Sequence, residues 1–371
     1  MKWRALPGPA TFIDKVLQQL RDGISVVVAA PTLAPSGLED VFVESLEHDR
    51  WYVQRVTANS QDDPLRWLTE RLYLEPERWV GWSVEKMCDR LSAGQVIVVE
   101  GVTDKTWDAW RTLLRDFEVA SRQRASDERA LLLLVVRGVP RKRLQISGAA
   151  LDLKIWAGVV GELDTLTYVD QRLRGNRKPN RCHKLLVRQI SALALWDLAL
   201  ADFLADQPEN EMFDIRTILQ AARQALRLSG VPIDGEWEGG GSDQFDGVEM
   251  THPFVLVERG DPNDELKRRL WTAQAAELLP LIEVRRRELI KGLERRVPCP
   301  FWIDGKRQIR SLDELEIGSL AYVTQTHGIR GDLREHAEWL ASCRNTLAHL
   351  GLLNGREALD SRLHGRDLNL P

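Results

Sequence analysis

Ile24-Ser25-Val26-Val27-Val28-Ala29-Ala30, then Pro31-Thr32-Leu33-Ala34-Pro35-Ser36-Gly37, then Leu38-Glu39-Asp40-Val41-Phe42-Val43-Glu44-Ser45-Leu46, is the stretch that decides the fold class. The first segment is almost wholly apolar and rich in valine. That is the pattern of a strand covered on both faces, because a strand with one wet face alternates apolar and polar residues. Two prolines and a glycine mark the next segment as a loop. The third has apolar residues at helical spacing. Strand, loop and helix in this order open a parallel βαβ unit.

Working outward, a short helix over 11–22 precedes the strand. Trp51-Tyr52-Val53-Gln54-Arg55-Val56 predicts a second strand, and a tryptophan-rich helical stretch covers 64–91. Gln95-Val96-Ile97-Val98-Val99-Glu100-Gly101 predicts a third strand, 106–122 a helix, and Ala130-Leu131-Leu132-Leu133-Leu134-Val135-Val136-Arg137 a fourth strand. This alternation predicts an α/β domain with a parallel sheet over 1–165. Beyond it the strand signals mostly stop. Helices are expected over 165–174, 184–204 and 213–228, making a helical middle domain over 166–235. Glu236-Trp237-Glu238-Gly239-Gly240-Gly241-Ser242-Asp243 is Gly-rich and predicts a flexible loop or linker over 236–262. A helical bundle is expected over 263–371: a long segment to about Arg296 interrupted at Pro280, then 312–326 and 329–352, with weak structure from Asn354.

The chain has 371 residues, 43% hydrophobic and 29% charged, which suits an ordinary globular protein of two or three domains. A net charge of −4 argues against a surface that coats nucleic acid as a whole. No run approaches the roughly 20 apolar residues of a membrane span. The start, Met1-Lys2-Trp3-Arg4, lacks a signal-peptide core, so a cytoplasmic location and no membrane partner are expected. Cys88, Cys182, Cys299 and Cys343 are scattered without metal-ligand spacing, predicting reduced thiols and no structural metal.

The strand-loop-helix at 24–46 is laid out like a phosphate-binding P-loop. Glu100 ends a later strand where a Walker B acid would stand, and Arg137 ends a further one as a sensor residue does. Over about the first 150 residues the chain therefore resembles a P-loop NTPase of the AAA or STAND type. It departs at the octet Pro31-Thr32-Leu33-Ala34-Pro35-Ser36-Gly37-Leu38. Walker A needs G-x-x-x-x-G-K-[ST], but Gly37 holds the lysine position and Leu38 the hydroxyl position. Two prolines also remove N–H groups from the anion cradle. ATP hydrolysis and a nucleotide cofactor are not expected, and the domain is predicted to be a scaffold. For Glu100 the alternative is a plain loop anchor. Among Trp51, Trp67, Trp79, Trp82, Trp107 and Trp110 most are expected in the core, with one or two free to anchor a partner.

Pro140-Arg141-Lys142-Arg143, the run 172–188, and a helix bearing Arg285, Arg286, Arg287, Lys291, Arg295 and Arg296 are local positive charge. Phosphate-backbone contact is one account. A solvated face balanced by Glu283, Glu288 and Glu294 is the other, and interleaved aromatics for base stacking are absent.

The last helix carries Leu333, Ala337, Leu340, Ala341, Leu347 and Ala348 on one stripe, with Arg344 falling inside it. A bare charge there needs a carboxylate, a cleft or a partner subunit. Arg344-Asn345-Thr346-Leu347-Ala348-His349 sets an arginine and a histidine five apart, about 140° around the helix, while Asn345 and His349 share a face. Together the two can supply charge stabilisation and proton transfer. A helical bundle ending in R-N-x-x-A-H resembles the HEPN superfamily over roughly 263–353, the specific positions being Arg344, Asn345 and His349. That resemblance implies a metal-independent endoribonuclease whose site forms across a homodimer. His349 would be the acid/base, Arg344 would stabilise charge on phosphorus, and Asn345 would orient a neighbour. RNA and the protein partners of a multi-component prokaryotic defence or stress-response system are the partners it implies. The alternatives are a catalytically inactive adaptor, or a structural Arg344 paired with a carboxylate such as Glu316 and a His349 at the helix C-terminus.

Overall fold

A computed structural model describes residues 3–59, 63–74, 81–176, 178, 180–228, 235–303, 305 and 307–365. Trp79, Arg177, Pro179 and the Ser229-Gly230 pair lie outside the described residues. In chain order the elements are α1 (Pro7–Arg21), β1 (Ser25–Ala30), α2 (Leu38–His48), β2 (Tyr52–Thr57), α3 (Pro64–Arg71), α4 (Val84–Arg90), β3 (Gln95–Thr103), α5 (Trp107–Arg122), β4 (Leu131–Arg137) and β5 (Leu151–Ile155). Then follow α6 (Glu162–Asn176), α7 (His183–Ala194), α8 (Leu198–Asp206), α9 (Ile215–Ala225), β6 (Ser242–Phe245), β7 (Val248–Thr251), α10 (Pro253–Glu258) and α11 (Glu265–Leu293). The chain closes with β8 (Phe301–Ile303), β9 (Arg307–Ile309), α12 (Ile317–Thr326), α13 (Asp332–Ala348), α14 (Gly355–Ala358) and α15 (Ser361–His364). Two compact units divide it: Met1–Tyr168 with Leu195–Ala199 and Ser229–Val255, and Val169–Ala194 with Leu200–Leu228 and Leu256–Pro371.

The first unit is built on a five-stranded parallel sheet in the order β2-β3-β4-β1-β5. Alternate residues of its central strands enter two cores. Val27, Ile97, Val99, Leu132 and Leu134 pack with Trp107, Trp110 and Phe117 of α5. Val26, Val28, Val98, Leu131 and Leu133 pack with Phe12 of α1 and Phe42 of α2. Each such aliphatic side chain contributes about 1.5–3 kcal/mol when fully buried, which is why β1, β3 and β4 are apolar on both faces. The α/β class expected from the sequence is thus the fold of this unit. β5 was not expected. Its Leu-Asp-Leu-Lys-Ile alternates because it is an edge strand, and Asp152 binds both Lys154 at 2.6 Å and the Leu153 amide at 2.8 Å.

The stretch expected as a flexible linker is instead a packed strap ending in the β6–β7 hairpin. Its glycines serve close approach. A Cβ on Gly240, which has a φ of +86°, would stand 2.7 Å from the Leu33 side chain, and one on Gly241 would stand 2.4 Å from the Gly235 backbone.

The second unit is helical. Leu278, Ile282, Leu289 and Leu293 of α11 share a core with Leu320 of α12 and Leu333, Leu340 and Leu347 of α13. α11 runs unbroken through Pro280, against the expected interruption. Pro280 lies on the exposed side, as does Ala276 one turn earlier, whose carbonyl loses its donor and can be hydrated there. The expected helix over 184–204 is two helices, since Leu195 turns left-handed (φ 52°) and the Asp197 side chain accepts from the Ala199 amide to start α8. The expected helix over 312–326 splits likewise: a single turn precedes α12, for which Glu316 is the N-cap residue. The β8–β9 hairpin was not expected either. The stretch 354–365, expected to be weakly structured, is held by a capping box between Asn354 and Glu357 and by Arg285, which donates to the Leu363 and Gly365 carbonyls.

Candidate functional site

In open parallel sheets ligands sit beyond the carboxyl ends of the strands, where crossovers diverge. Here that place lies between β1, whose chain leaves toward β2, and β4, whose chain crosses β1 to reach β5. The chain's own groups fill it. Arg137 at the end of β4 grips both carboxylate oxygens of Glu39 in the first turn of α2, Nε–Oε1 at 2.9 Å and Nη2–Oε2 at 3.0 Å. Its remaining donors reach the Ala34 and Pro35 carbonyls at 3.3 and 3.4 Å. The Thr32 amide, an N–H that would face a phosphate, donates instead to the Glu238 carbonyl of the strap at 2.8 Å. Leu38, the residue expected where a Walker motif would carry its hydroxyl, is completely buried.

Glu100 is an anchor rather than an open acid. Arg55 donates to its Oε2 through Nη2 and Nε, at 2.5 and 3.0 Å, and Thr57 Oγ1 donates to its Oε1 at 2.8 Å. The Arg55 guanidinium, and then the Thr57 hydroxyl, hold this carboxyl below the ordinary range against the opposing effect of burial. Arg55 also bridges to Asp40 at 2.6 Å.

The strap carries an unforeseen acid. Asp243 is buried and accepts from the Gly158 and Gln244 amides at 3.1 and 2.8 Å, with Arg141 at 3.8 Å. Burial pushes its carboxyl up to about 6, despite these contacts. Arg141 in turn lies 4.6 Å over the Trp237 ring, whose Nε1 donates to the Trp156 carbonyl. Beside the strap His252, fully buried, meets Asp197 at 3.2 Å and accepts the Phe254 amide on Nδ1. A lone aspartate in a Gly-rich stretch gave no advance sign of burial.

Most of the basic residues singled out in the sequence already have partners. Arg143 pairs with Asp104 and Asp108, Arg172 with Asp202 and Asp206, Arg174 with Asp170, and Arg188 with Glu277. Arg285 is buried and Arg286 is held by Glu283. Three of the cysteines are buried, and burial pushes Cys88 and Cys182 up to about 11 and Cys343 up to about 12. Among the described residues no group of three or more His, Cys, Asp or Glu side chains could hold a metal ion. No helix among them is long and apolar enough to cross a membrane.

Arg344, Asn345 and His349 stand at the C-terminal end of α13. The buried stripe there is Leu333, His336, Ala337, Leu340, Ala341, Cys343 and Leu347, so Cys343 takes the place expected of Arg344 and Ala348 is exposed. Arg344 sits on the shoulder. Its Nη2 donates to Glu316 at 3.1 Å, with the two side chains 40% and 76% exposed. It borders a groove of about 350 Å³ whose other charged groups are Arg286, Glu283, Asp313, Glu314 and Glu316. His349 is the C-cap residue, exposed, and among the described residues neither its ring nor the exposed Asn345 amide has a partner. One helix end therefore holds all three, with Arg344 turned from the shared face of the other two.

His336 was missed because its spacing reads as core. It is buried, its Nε2 has no hydrogen-bond partner, and burial, then the Arg362 and Arg285 charges, lower its pKa to about 4.

No protein-family model matches the chain, and no curated protein does. Among solved structures it is similar to the Thermotoga maritima RuvB Holliday junction branch migration motor, at 8% identity and a TM-score of 0.29, over 68% of this chain and 93% of that one. It is similar also to Drosophila ORC bound to DNA, at 10% identity and a TM-score of 0.26, over 95% of this chain and 70% of that one. Superpositions this loose leave the fold to be judged from its own strand order.

Proposed function

We propose that this protein is a component of a prokaryotic defence or stress-response system, a nucleotide-independent α/β platform joined to an RNA-cleaving helical bundle. The observation that carries the catalytic half is that Arg344, Asn345 and His349 do little for the fold. An ion pair as exposed as Arg344–Glu316 is worth at most about 1 kcal/mol, and the other two side chains have no partner among the described residues. Polar groups gathered at one helix end without a structural task are available to a ligand. His349 would take the proton of a ribose 2′-OH and return one to the leaving oxygen, and Arg344 would release Glu316 to meet the phosphate. Because Arg344 and His349 point about 140° apart on one helix, the pair acts most simply across two copies of the bundle.

The Arg344–Glu316 contact favours a second reading, an adaptor that assembles with other proteins and cleaves nothing. Expression of wild type, Arg344→Ala and His349→Ala separates them. RNA loss or growth arrest in wild type alone supports cleavage, and equal behaviour of all three, each folded, leaves the adaptor.

A further inference from the structure

We propose that the cavity between α5, the β4–β5 crossover and the edge strand β5 binds a small phosphomonoester, with Arg115 and Arg141 as its anion-binding groups. This goes beyond the RNA-cleaving reading and does not depend on it. Parallel strands are usually joined through a helix that covers the sheet. Residues 138–150 cross from β4 to β5 with only a single helical turn, Arg141–Arg143, so the crossover lays no full helix on the sheet beside α5. The space left is a cavity of about 640 Å³, within the roughly 300–1,000 Å³ of small-molecule sites. It shares no residue with the filled place where Arg137 meets Glu39. Its walls are closely built. Gly148 lets the crossover meet α5, since a Cβ there would stand 2.5 Å from the Glu118 side chain, and Glu118 Oε1 accepts from the Ala149 amide at 3.1 Å.

Helix α5 buries Trp110, Leu114 and Phe117 and brings Arg115 and Val119, four residues apart on one face, to the cavity. Arg115 is exposed, and among the described residues it has no ion pair or hydrogen bond. Arg141 lies 4.6 Å over the Trp237 ring, and the carboxylate of Asp243 is 3.8 Å from it, beyond hydrogen-bond reach. Stacking thus positions this guanidinium while its donors stay open. The Ser147 hydroxyl and the Gln145 amide, both exposed, line the same space and make no hydrogen bond among the described residues. Two guanidiniums against one carboxylate, Glu118, leave the wall positive. One guanidinium fork saturates a carboxylate. The three terminal oxygens of a phosphomonoester can accept from both forks and from the hydroxyl, and its charge of about −2 matches theirs. The remaining surface is apolar: Leu144, Ile146 and Leu151 are buried at the floor, and Val119 is 42% exposed. An organic group on the phosphate would cover that surface, which inorganic phosphate would leave wet.

The experiment titrates the full chain with phenyl phosphate at about pH 7.5, where a phosphomonoester is a dianion, and follows binding by calorimetry. Saturable binding at one site is expected, with benzoate and inorganic phosphate each binding more weakly. Arg115→Gln and Arg141→Gln should each weaken it about tenfold or more, as loss of a charge-assisted hydrogen bond does. Arg141→Gln also removes the stack on Trp237. Val119→Glu is therefore the second test: it alters an exposed side chain, sets a carboxylate in the cavity, and should abolish binding. Absence of saturable binding overturns the site, as does affinity that survives both Arg115→Gln and Val119→Glu. Binding lost in Arg344→Ala but kept in Arg115→Gln would put the anion at the end of α13 and overturn it as well. Benzoate bound as tightly as phenyl phosphate would overturn the assignment to phosphate.

Discussion

Arg137 and Glu39 form a two-pronged ion pair at the carboxyl end of the central strands, at 2.9 and 3.0 Å, with side chains 26% and 13% exposed. A triphosphate entering there would have to displace Glu39 from the arginine and Glu238 from the Thr32 amide. Removing one partner strands a largely buried charge. Arg137→Leu alone should therefore cost roughly 2–4 kcal/mol, while Arg137→Leu with Glu39→Leu should recover much of it. Urea unfolding of wild type, Arg137→Leu, Glu39→Leu and the double variant gives the cycle. Calorimetry with magnesium ATP should show no binding to wild type, and tight magnesium-dependent binding would remove the basis for a nucleotide-independent platform.

Asp243 predicts a pH dependence whose sign follows from its environment. Its carboxyl lies at about 6 when folded, against roughly 3.9 unfolded, so the folded state binds the extra proton between those values. The first unit should lose up to about 3 kcal/mol as pH rises through that window, and none of it should return above. Asp243→Asn keeps an oxygen for the Gly158 and Gln244 amides and removes the charge. It should flatten the profile and raise the unfolding midpoint at neutral pH, and a midpoint that falls equally at all pH values would refute this.

The extent to which the sequence disclosed this molecule follows burial symmetry. β1, β3 and β4 are covered on both faces, so their valines and leucines form unbroken runs that announce a parallel sheet. β5 and the two hairpins escaped because edge strands of three to five residues need only a few buried positions. Pro280 misled because its exposed setting, which the sequence hides, makes a missing N–H tolerable. That Gly37 and Leu38 are not a Walker lysine and hydroxyl could be read directly, but Glu39 as the partner of Arg137 could not, since the two come together only across 98 positions. At the other end, Glu316 was named as a partner for Arg344 and is one, whereas the stripe was misplaced by one residue, onto Arg344 instead of Cys343.

His336 should give the second unit the opposite slope. It is buried with an unpartnered Nε2, facing Arg362 and Arg285, which oppose its protonation, and Asp360 and Glu288, which favour it. Its pKa of about 4 lies below the roughly 6.5 of the unfolded chain, so the unfolded state takes up the proton first as pH falls. Stability contributed by the neutral ring is fully present above about pH 6.5 and should drop by up to about 3 kcal/mol by pH 4. His336→Leu fills similar space without the orphaned nitrogen. Thermal melting should find it more stable than wild type near pH 5 and little changed near pH 7.5. Equal differences at both values would mean the imidazole is not held neutral by its surroundings.

Arg344 and His349 should matter to stability far less than to activity. Arg344→Ala removes one exposed ion pair to Glu316, and His349→Ala removes a ring without a partner among the described residues. Each should shift the unfolding free energy by less than about 1 kcal/mol. Glu316→Gln is the informative companion, because it frees Arg344 while leaving the guanidinium in place. If Glu316 merely holds Arg344 in readiness, Glu316→Gln should cleave RNA at least as fast as wild type, whereas Arg344→Ala should be inactive. If the pair is structural, all three variants should behave as wild type toward RNA, and only the urea midpoints should move. Single-turnover cleavage of a labelled RNA, alongside those midpoints, reads both outcomes from the same preparations.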